Sequence, residues 1–326
     1  KDETVLANEQ VVEGKCERCD TPVIQKELEQ WFLKITAYAD RLISGLEKID
    51  WLPEVKRQQI NWIGRSEGML IKFQVLESQD QIEVFTTRPD TLNAVTFLAT
   101  SKLYEEGRKE KIGKFSGKYA LDPLSGRQIP IWDTNYVAPD YGTGFIMGVP
   151  AHDERDREFA KKYEINIIEK EPDPQLWQLI EKKGWGKKHV TYHLRDWLIS
   201  RQRYWGCPIP MIYCEEHGWR PVPEKDLPVT LPTDVDFLPH GESPIARSKS
   251  FQKDVVCPVC QKPARREVDT MDTYVDSSWY FIRFVDPRNA ERFADSEKMK
   301  KWLPVDEYVG GGHVVQHLLF ARFFWK

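Results

Sequence analysis

At Gly68 the spacing of apolar residues changes, and no single regular element can run through the change. Before it, Leu28, Trp31, Phe32, Ile35, Tyr38, Leu42, Ile43 and Leu46 recur at steps of three and four, the period of one face of a helix. That spacing predicts a long amphipathic helix over residues 26–49. A second is predicted over 53–62, where Pro53 suits a first helical turn. Gly64 and Gly68 read as the brackets of a hinge. Short apolar runs follow at 69–76, 81–87, 94–100, 118–121, 128–132 and 145–149, separated by turn residues such as Ser78-Gln79-Asp80 and Asp122-Pro123. These predict a β-rich section. Helical spacing returns at 153–163, at 174–183 ahead of Gly184, and over 314–325. More than one core is expected in 326 residues, because single cores stop growing near ~250–300 residues.

The apolar share of 40% suits a globular chain, and the apolar runs 145–149 and 318–324 fall far short of the ~20 residues a membrane span needs. No membrane partner is expected. Residues 1–25 do not read as a secretory segment. With a net charge of −4, no global basic field marks a nucleic-acid binder, so any such partner would be met by local basic patches. The termini, Lys1 and Lys326, read as those of a piece of something larger.

The six cysteines are spaced for metal rather than for disulfides. Cys214-x-x-His217 and Cys257-x-x-Cys260 supply four ligands with 39 residues between the pairs, the number a closed tetrahedral zinc site takes. Such a site is structural, since no position is left for water. Cys16-x-x-Cys19 is half a site, and Cys207 reads as a packed thiol. Reducing, cytoplasmic surroundings follow from this usage.

Two polar segments follow strand-like runs. One is Thr86-Thr87-Arg88-Pro89-Asp90-Thr91. The other, about fifty residues on, is Tyr141-Gly142-Thr143-Gly144 leading to Val149-Pro150-Ala151-His152-Asp153-Glu154-Arg155-Asp156. Hydroxyls, glycines and carboxylates on two turns read as walls of a pocket for a small amine-bearing acyl group beside a polyanion. If Asp153 opens a helix, Asp156 lies one turn on and both can face one site. Equally, Asp153 can be a plain N-cap and Asp156 a first-turn carboxylate favoured by the helix dipole.

The pairing of TTRPDT with GTG and VPAHDERD resembles the editing site of leucyl-tRNA synthetases; isoleucyl and valyl relatives typically carry Thr-Pro-Trp in the first segment. Further matching stretches are TVLANEQV (4–11), ITAYADRL (35–42), WIGRSEG (62–68), RDWLISRQRYWG (195–206), PIPMIYC (208–214) and DTMDTYVDSSWYFIRF (269–284). The resemblance implies an α/β fold in which a β-rich, barrel-like editing domain is inserted in fragments of a class I, Rossmann-type catalytic core with a zinc ribbon. The expected division is a partial zinc knuckle at 1–25, helical core at 26–66, the editing domain at 67–191, a return to the core at 192–213, a zinc-binding module at 214–269 and further core at 270–326.

Hydrolysis of a mischarged aminoacyl ester calls for an anchor for the ammonium, donors for the oxyanion and a positioned water. Asp156 is the expected anchor, with Asp153 beside it. Thr86 and Thr87 are the hydroxyls for the carbonyl or the water, and Arg88 is the phosphate contact. The resemblance makes Thr91 the residue that excludes correctly attached leucine, and places Tyr141 and Met147 in the same pocket; Met147 can equally be core. Gly142 and Gly144 flank Thr143 where the terminal adenosine would approach. His152 can be a base or make a structural hydrogen bond, as with Asp153. Direct attack by water, helped by the substrate's own ribose hydroxyl, is favoured. In residues 195–206 Arg195, Arg201 and Arg203 interleave with Trp197, Tyr204 and Trp205, which suits RNA or a domain interface, or else a solvated helix face.

The editing region is shorter than the family's usual length after 98–100 and after 167–169, and residues 308–313 lack the glutamate that usually precedes His313. Neither a His-Ile-Gly-His-type nor a Lys-Met-Ser-Lys-Ser-type signature occurs. The expected function is thus editing of tRNA(Leu) mischarged with norvaline or isoleucine. ATP and Mg2+ serve the intact parent enzyme, and the rest of the synthetase polypeptide is a partner alongside the mischarged tRNA 3′ end. A non-catalytic tRNA-binding or zinc-ribbon module with a degenerate site is the alternative. For Cys16 and Cys19 the family usually has further cysteine just upstream of the segment like 4–10.

Overall fold

Ser78-Gln79-Asp80 turns the chain back on itself: Gln74 Nε2 donates to Ser78 O and to Asp80 O, both at 3.0 Å, and Val75 N–H donates to Asp80 O at 3.0 Å. The turn joins β1 (Arg65–Val75) to β2 (Gln81–Thr86), antiparallel with Leu70 opposite Phe85. The computed structural model describes residues 5–6, 11–12, 14–24, 27–76, 78–104, 110–138, 142–238, 241–310 and 313–326. The chain forms two units, Gly64–His193 and Lys1–Ile63 with Leu194–Lys326.

Gly64–His193 is built on a seven-stranded mixed sheet. The remaining strands are β3 (Phe97–Thr100), β4 (Gly113–Leu121), β5 (Gln128–Thr134), β6 (Phe145–Gly148) and β7 (Gly186–Tyr192). Their order is β7-β1-β4-β5-β3-β6, with β2 on the other edge of β1. All pairs are antiparallel except β3 with β5. Every residue of β3 is buried, as expected of a strand covered on both faces. Leu98 joins a core of Met69, Ile71, Val84, Ile131 and Met147, together with Ile180 from α2 (Leu176–Lys182). Its neighbours Phe97 and Ala99 pack instead with Val137 and with Phe159 of α1 (Glu154–Lys162), the alternation a strand imposes.

Two expectations are corrected here, and one strand is added. The barrel is not closed among the described residues: Thr143 Oγ1 donates to Glu83 O at 2.5 Å and so brings the approach to β6 near β2, but no backbone ladder joins the two strands. Among the described residues the sheet is therefore open, with a side-chain contact in place of a ladder. Gly68 is no hinge. It lies inside β1, where an added Cβ would meet Thr86 O at 2.2 Å, so it serves close cross-strand approach. The strand β7, paired along Arg65–Ile71 of β1, follows Gly184 and was not among the expected apolar runs.

In the second unit the single helix expected over 26–49 does not form. Ile35–Tyr38 and Gly45–Lys48 are 3-10 turns flanking a helix at Ala39–Ser44. Phe32–Leu33 is a strand paired with Trp197–Leu198, and Trp31 donates its N–H to Ser200 Oγ at 2.8 Å and its indole N–H to Glu267 at 2.7 Å. Long-range pairing therefore overrides the local period. Residues 195–206 are likewise not a helix: Trp197–Leu198 and Ser200–Arg201 are short strands, with buried Trp197 stacked on Phe320 at 4.1 Å. Pro53–Ile63 and Gln316–Phe324 are helical. The described strands of this unit pair antiparallel in sheets of two and three, so no parallel Rossmann sheet lies among them.

Gly148 stands opposite Phe97 in the β3–β6 pair, and an added Cβ would lie 2.3 Å from the Phe97 ring. Overpacking of this kind costs about 1–3 kcal/mol, so Gly148→Ala is expected to lower the urea midpoint of the unit containing it. An unchanged midpoint would show that the ring yields freely.

Candidate functional site

A cavity of about 370 Å³ opens between the end of β2 and the start of α1. One wall is Phe85, Thr86, Thr87, Arg88 and Thr91; the other is built from Tyr136, Met147, His152, Asp153 and Asp156 among others. The two polar segments thus meet. Thr86 Oγ1 accepts from Arg88 N–H at 3.0 Å, which turns the chain out of β2. Pro89–Ala94 then form a 3-10 turn. Within it, buried Thr91 donates its hydroxyl to Arg88 O at 2.8 Å. The exposed Arg88 is gripped by both oxygens of Asp90, with Nε–Oδ1 at 3.0 Å and Nη2–Oδ2 at 2.9 Å. Asp90 therefore sets the direction of a cation at the mouth. Thr87 is exposed, and no described protein group engages its hydroxyl.

On the opposite wall Asp153 is the N-cap of α1, accepting from Arg155 N–H at 2.8 Å and Asp156 N–H at 3.2 Å. It also pairs with Arg155 Nη2 at 3.0 Å. Burial alone would raise its pKa, but the Arg155 guanidinium and the two N–H donors outweigh that and hold it below the ordinary carboxylate range. Asp156, the third residue of α1, is 3% exposed. Its Oδ2 accepts from Val149 N–H at 2.9 Å and its Oδ1 from the Tyr136 hydroxyl at 3.3 Å. Burial pushes Asp156 up to about 6 despite the Val149 donor, and the Asp153 charge adds to the rise. The cap reading of Asp153 and the cavity reading of both carboxylates are therefore true together.

His152 Nε2 lies 2.7 Å from Lys170 O. A carbonyl can only accept, so that nitrogen carries the proton; the structural partner is this carbonyl and not Asp153. Met147 belongs both to the core and to the cavity lining. Thr143 does not line the cavity, and its hydroxyl is used on Glu83 O. Gly142 and Gly144 have φ of +58° and +74°, and a Cβ on Gly142 would meet Phe85 Cβ at 2.8 Å. Tyr141 lies outside the described residues, as do 7–10 of the segment at 4–11 and Gly311-Gly312. Sequence reasoning missed Tyr136, which no local pattern marks.

The metal-spaced residues converge. The hairpin β8 (Met211–Cys214) and β9 (Gly218–Pro221), flanked by β10 (Arg265–Arg266), brings Cys214 and His217 to Cys257 and Cys260. All four ligand atoms lie within 4.8 Å of one another. Cys214 Sγ is 3.7 Å from Cys260 Sγ and 3.6 Å from His217 Nδ1, and Cys257 Sγ is 3.9 Å from His217 Nδ1. A tetrahedral ion with thiolates at ~2.3 Å needs edges of about 3.8 Å, so the set fits. Cys16–Cys19 has the same backbone form as Cys257–Cys260. Asp20 N–H donates to Cys16 O at 3.0 Å and Gln261 N–H to Cys257 O at 2.9 Å, and both closing residues have positive φ, +54° and +61°. Among the described residues no third ligand joins Cys16 and Cys19. Cys207 meets its expectation only in part: the residue is exposed, its thiol reaches Pro208 O at 3.7 Å and has its pKa raised by partial burial, and its carbonyl accepts from Met271 N–H at 2.7 Å. No described helix is long and apolar enough to cross a membrane.

A family model described as leucyl-tRNA synthetase, editing domain, matches residues 60–105 and 99–178, and one described as tRNA synthetases class I (I, L, M and V) matches 179–320. Together they define a class I aminoacyl-tRNA synthetase with an editing domain. Leucine–tRNA ligases of Thermotoga maritima and Pseudothermotoga lettingae are 47% and 48% identical to it over 100% and 99% of this chain. A solved ternary complex of Agrobacterium radiobacter K84 agnB2 LeuRS with tRNA and LeuAMS superposes with a TM-score of 0.86 at 38% identity, covering 98% of this chain and 44% of that one. The chain belongs to the leucyl-tRNA synthetase family. It spans about half the length of the curated relatives it matches, 48% and 47% for the two above. The Thermotoga maritima match runs over 393 residues against 326 here, and the editing-domain match divides at 99–105, where the first shortening was expected.

The four-ligand cluster is expected to retain one equivalent of tightly bound metal per chain through dialysis, measured by elemental analysis. His217→Cys should keep it and Cys257→Ser should lose it. Equal metal content in wild type and Cys257→Ser would remove the site.

Proposed function

We propose that the Gly64–His193 unit hydrolyses tRNA(Leu) mischarged with a smaller or differently branched amino acid such as norvaline or isoleucine. The whole protein, of which this chain is the editing and partial core portion, would attach leucine to tRNA with ATP and Mg2+. One observation carries the reading: a buried carboxylate, Asp156, lines the same cavity as the Thr86-Thr87 hydroxyls across from it.

An α-ammonium seated against Asp156 would satisfy a carboxylate whose near cation, Arg155, is already paired with Asp153. Binding there favours the anion, so substrate and buried charge relieve each other. Thr87, with its hydroxyl uncommitted, is placed to donate to a carbonyl oxygen or hold the attacking water. Arg88, aimed by Asp90, would meet phosphate at the mouth. The proposed attack is by water assisted by the substrate's ribose hydroxyl; the bond from His152 Nε2–H to Lys170 O fixes that ring and leaves Nδ1 as its acceptor. Thr91 narrows the cavity beside Met147 and Val149. A hydrophobic site separates near-isosteres by only ~1–3 kcal/mol, so a synthetase needs a second sieve, and Thr91 would supply it by shaping the cavity against leucine. The cysteine–histidine cluster would hold a structural zinc ion that fastens the 207–269 section and takes no part in hydrolysis.

Deacylation of isoleucyl-tRNA(Leu) tests the reading. Removing a buried charge partner costs about 2–5 kcal/mol, so Asp156→Ala should lose roughly 30- to 5,000-fold in kcat/KM; wild-type activity in that variant would sink the proposal. Thr91→Ala should begin to cleave leucyl-tRNA(Leu), and continued protection of leucine would count against the pocket.

The pH dependence follows from the raised carboxyl. Only the anion pairs with an ammonium, and protonation takes over as pH falls through about 6. Wild-type kcat/KM should therefore decline on the acid side of that value, while Asp156→Asn should be low and flat there. A wild-type profile with no acid limb would exclude Asp156 as the titrating anchor.

A further inference from the structure

Asp156 owes its orientation to two donors, and one of them comes from outside both polar segments, just before the second. Val149 N–H reaches Oδ2 from the end of β6, and the Tyr136 hydroxyl reaches Oδ1 at 3.3 Å from the chain just after β5. The Tyr136 ring is seated on Phe159, with centroids 5.4 Å apart. Phe159 lies three residues after Asp156 on α1, so one helix face offers the same tyrosine a ring for its ring and a carboxylate for its hydroxyl. Phe159 is fully buried and itself packs on Phe97, Trp132 and Tyr163 at 5.4, 5.6 and 4.6 Å. The platform under Tyr136 is therefore fixed, and the hydroxyl has one place to go.

We propose that Tyr136 is a positioning residue for deacylation, holding the Asp156 carboxylate so that the lone pairs left free by Tyr136 and Val149 face the cavity and receive the substrate ammonium. The inference rests on the editing reading above. Each carboxylate oxygen offers two lone-pair directions. With one on each oxygen taken by a fixed donor, the other two define where a cation sits. Rotation about the last Asp torsion is otherwise broad and soft, so without the hydroxyl the same charge would be present but unaimed. The hydroxyl also favours the anion. The other charged groups near Asp156 are Asp153 and Arg155 on its own turn, with Arg88 and His152 lining the cavity from the facing wall and the preceding loop.

The test is Tyr136→Phe in the full chain, with Asp156→Ala beside it, followed by deacylation of isoleucyl-tRNA(Leu) from pH 5 to 8.5. Phenylalanine keeps the packing on Phe159, so the thermal midpoint should stay near wild type. KM should rise about 5- to 50-fold with a smaller change in kcat. The acid limb of kcat/KM should move up by about half a pH unit or more, because the anion has lost a donor. A merely structural role would leave that limb in place. Tyr136→Leu, which also strips the ring from Phe159, should show the same limb movement with an added loss of stability. If Asp156→Ala is inactive while Tyr136→Phe keeps the wild-type KM and acid limb, the positioning role is overturned and the editing reading stands. If Asp156→Ala stays fully active, the anchor falls and Tyr136 falls with it.

Discussion

The hydrogen bond from Val149 N–H to Asp156 Oδ2 joins the sheet of the Gly64–His193 unit to the helix that completes its cavity. On the sheet side, β6 is placed by its pairing with β3, which sets Met147 opposite Leu98 and leads directly into Val149. On the helix side, Asp153 caps the first turn and so fixes where Asp156 projects. Burying a carboxylate is unfavourable unless it is paired or hydrogen-bonded. Here the nearest guanidinium belongs to Asp153, and two neutral donors are left to hold the charge. That imbalance is what the proposed substrate ammonium would relieve, and it accounts for the elevated carboxyl in the same terms.

How much of this was legible in the sequence depended on how local the interaction is. Asp153 and Asp156 are three apart on one helix, so their shared turn could be read from spacing, as could the four metal ligands from two short pairs. Thr91 was legible only through resemblance, since a threonine in a 3-10 turn has no signature of its own. Tyr136 was invisible: it stands 20 residues from Asp156 and meets it through the chain's fold. The helix expected over 26–49 shows the reverse error. Its apolar spacing is real, but Trp31 and Phe32 are claimed by Ser200, Glu267 and Leu198, partners more than 160 residues away.

The cysteine knuckles carry a similar lesson about what a local form can do. Cys16–Cys19 and Cys257–Cys260 share the same backbone bonds and the same left-handed closing residue. The second is completed because the β8–β9 hairpin, with its own two-residue-spaced pair, is stitched beside it by β10. The apolar core there is small, with Ile212, Val222 and Val255 buried and little else packed on them. A section with so little to bury would gain its fixed shape from ligation, and the four ligand atoms crowd where hydrophobic contact is sparse.

Shortening has not removed the cavity, and the reason lies in where its walls come from. The lining residues fall at 85–91, 136–138 and 146–156, so the expected deletion points at 98–100 and 167–169 lie outside all three stretches. The second point is nevertheless close in space. The connection from α1 to α2 bonds to both walls: Lys170 O meets His152 Nε2 at 2.7 Å, Glu171 O accepts from Asn93 at 2.9 Å, and Asp173 N–H donates to Asp90 O at 2.8 Å. Every one of these uses a main-chain group of the connection, so they depend on its path and not on its side chains. A longer connection need not follow that path. In this chain the short route itself straps the turn that aims Arg88 to the loop that carries His152.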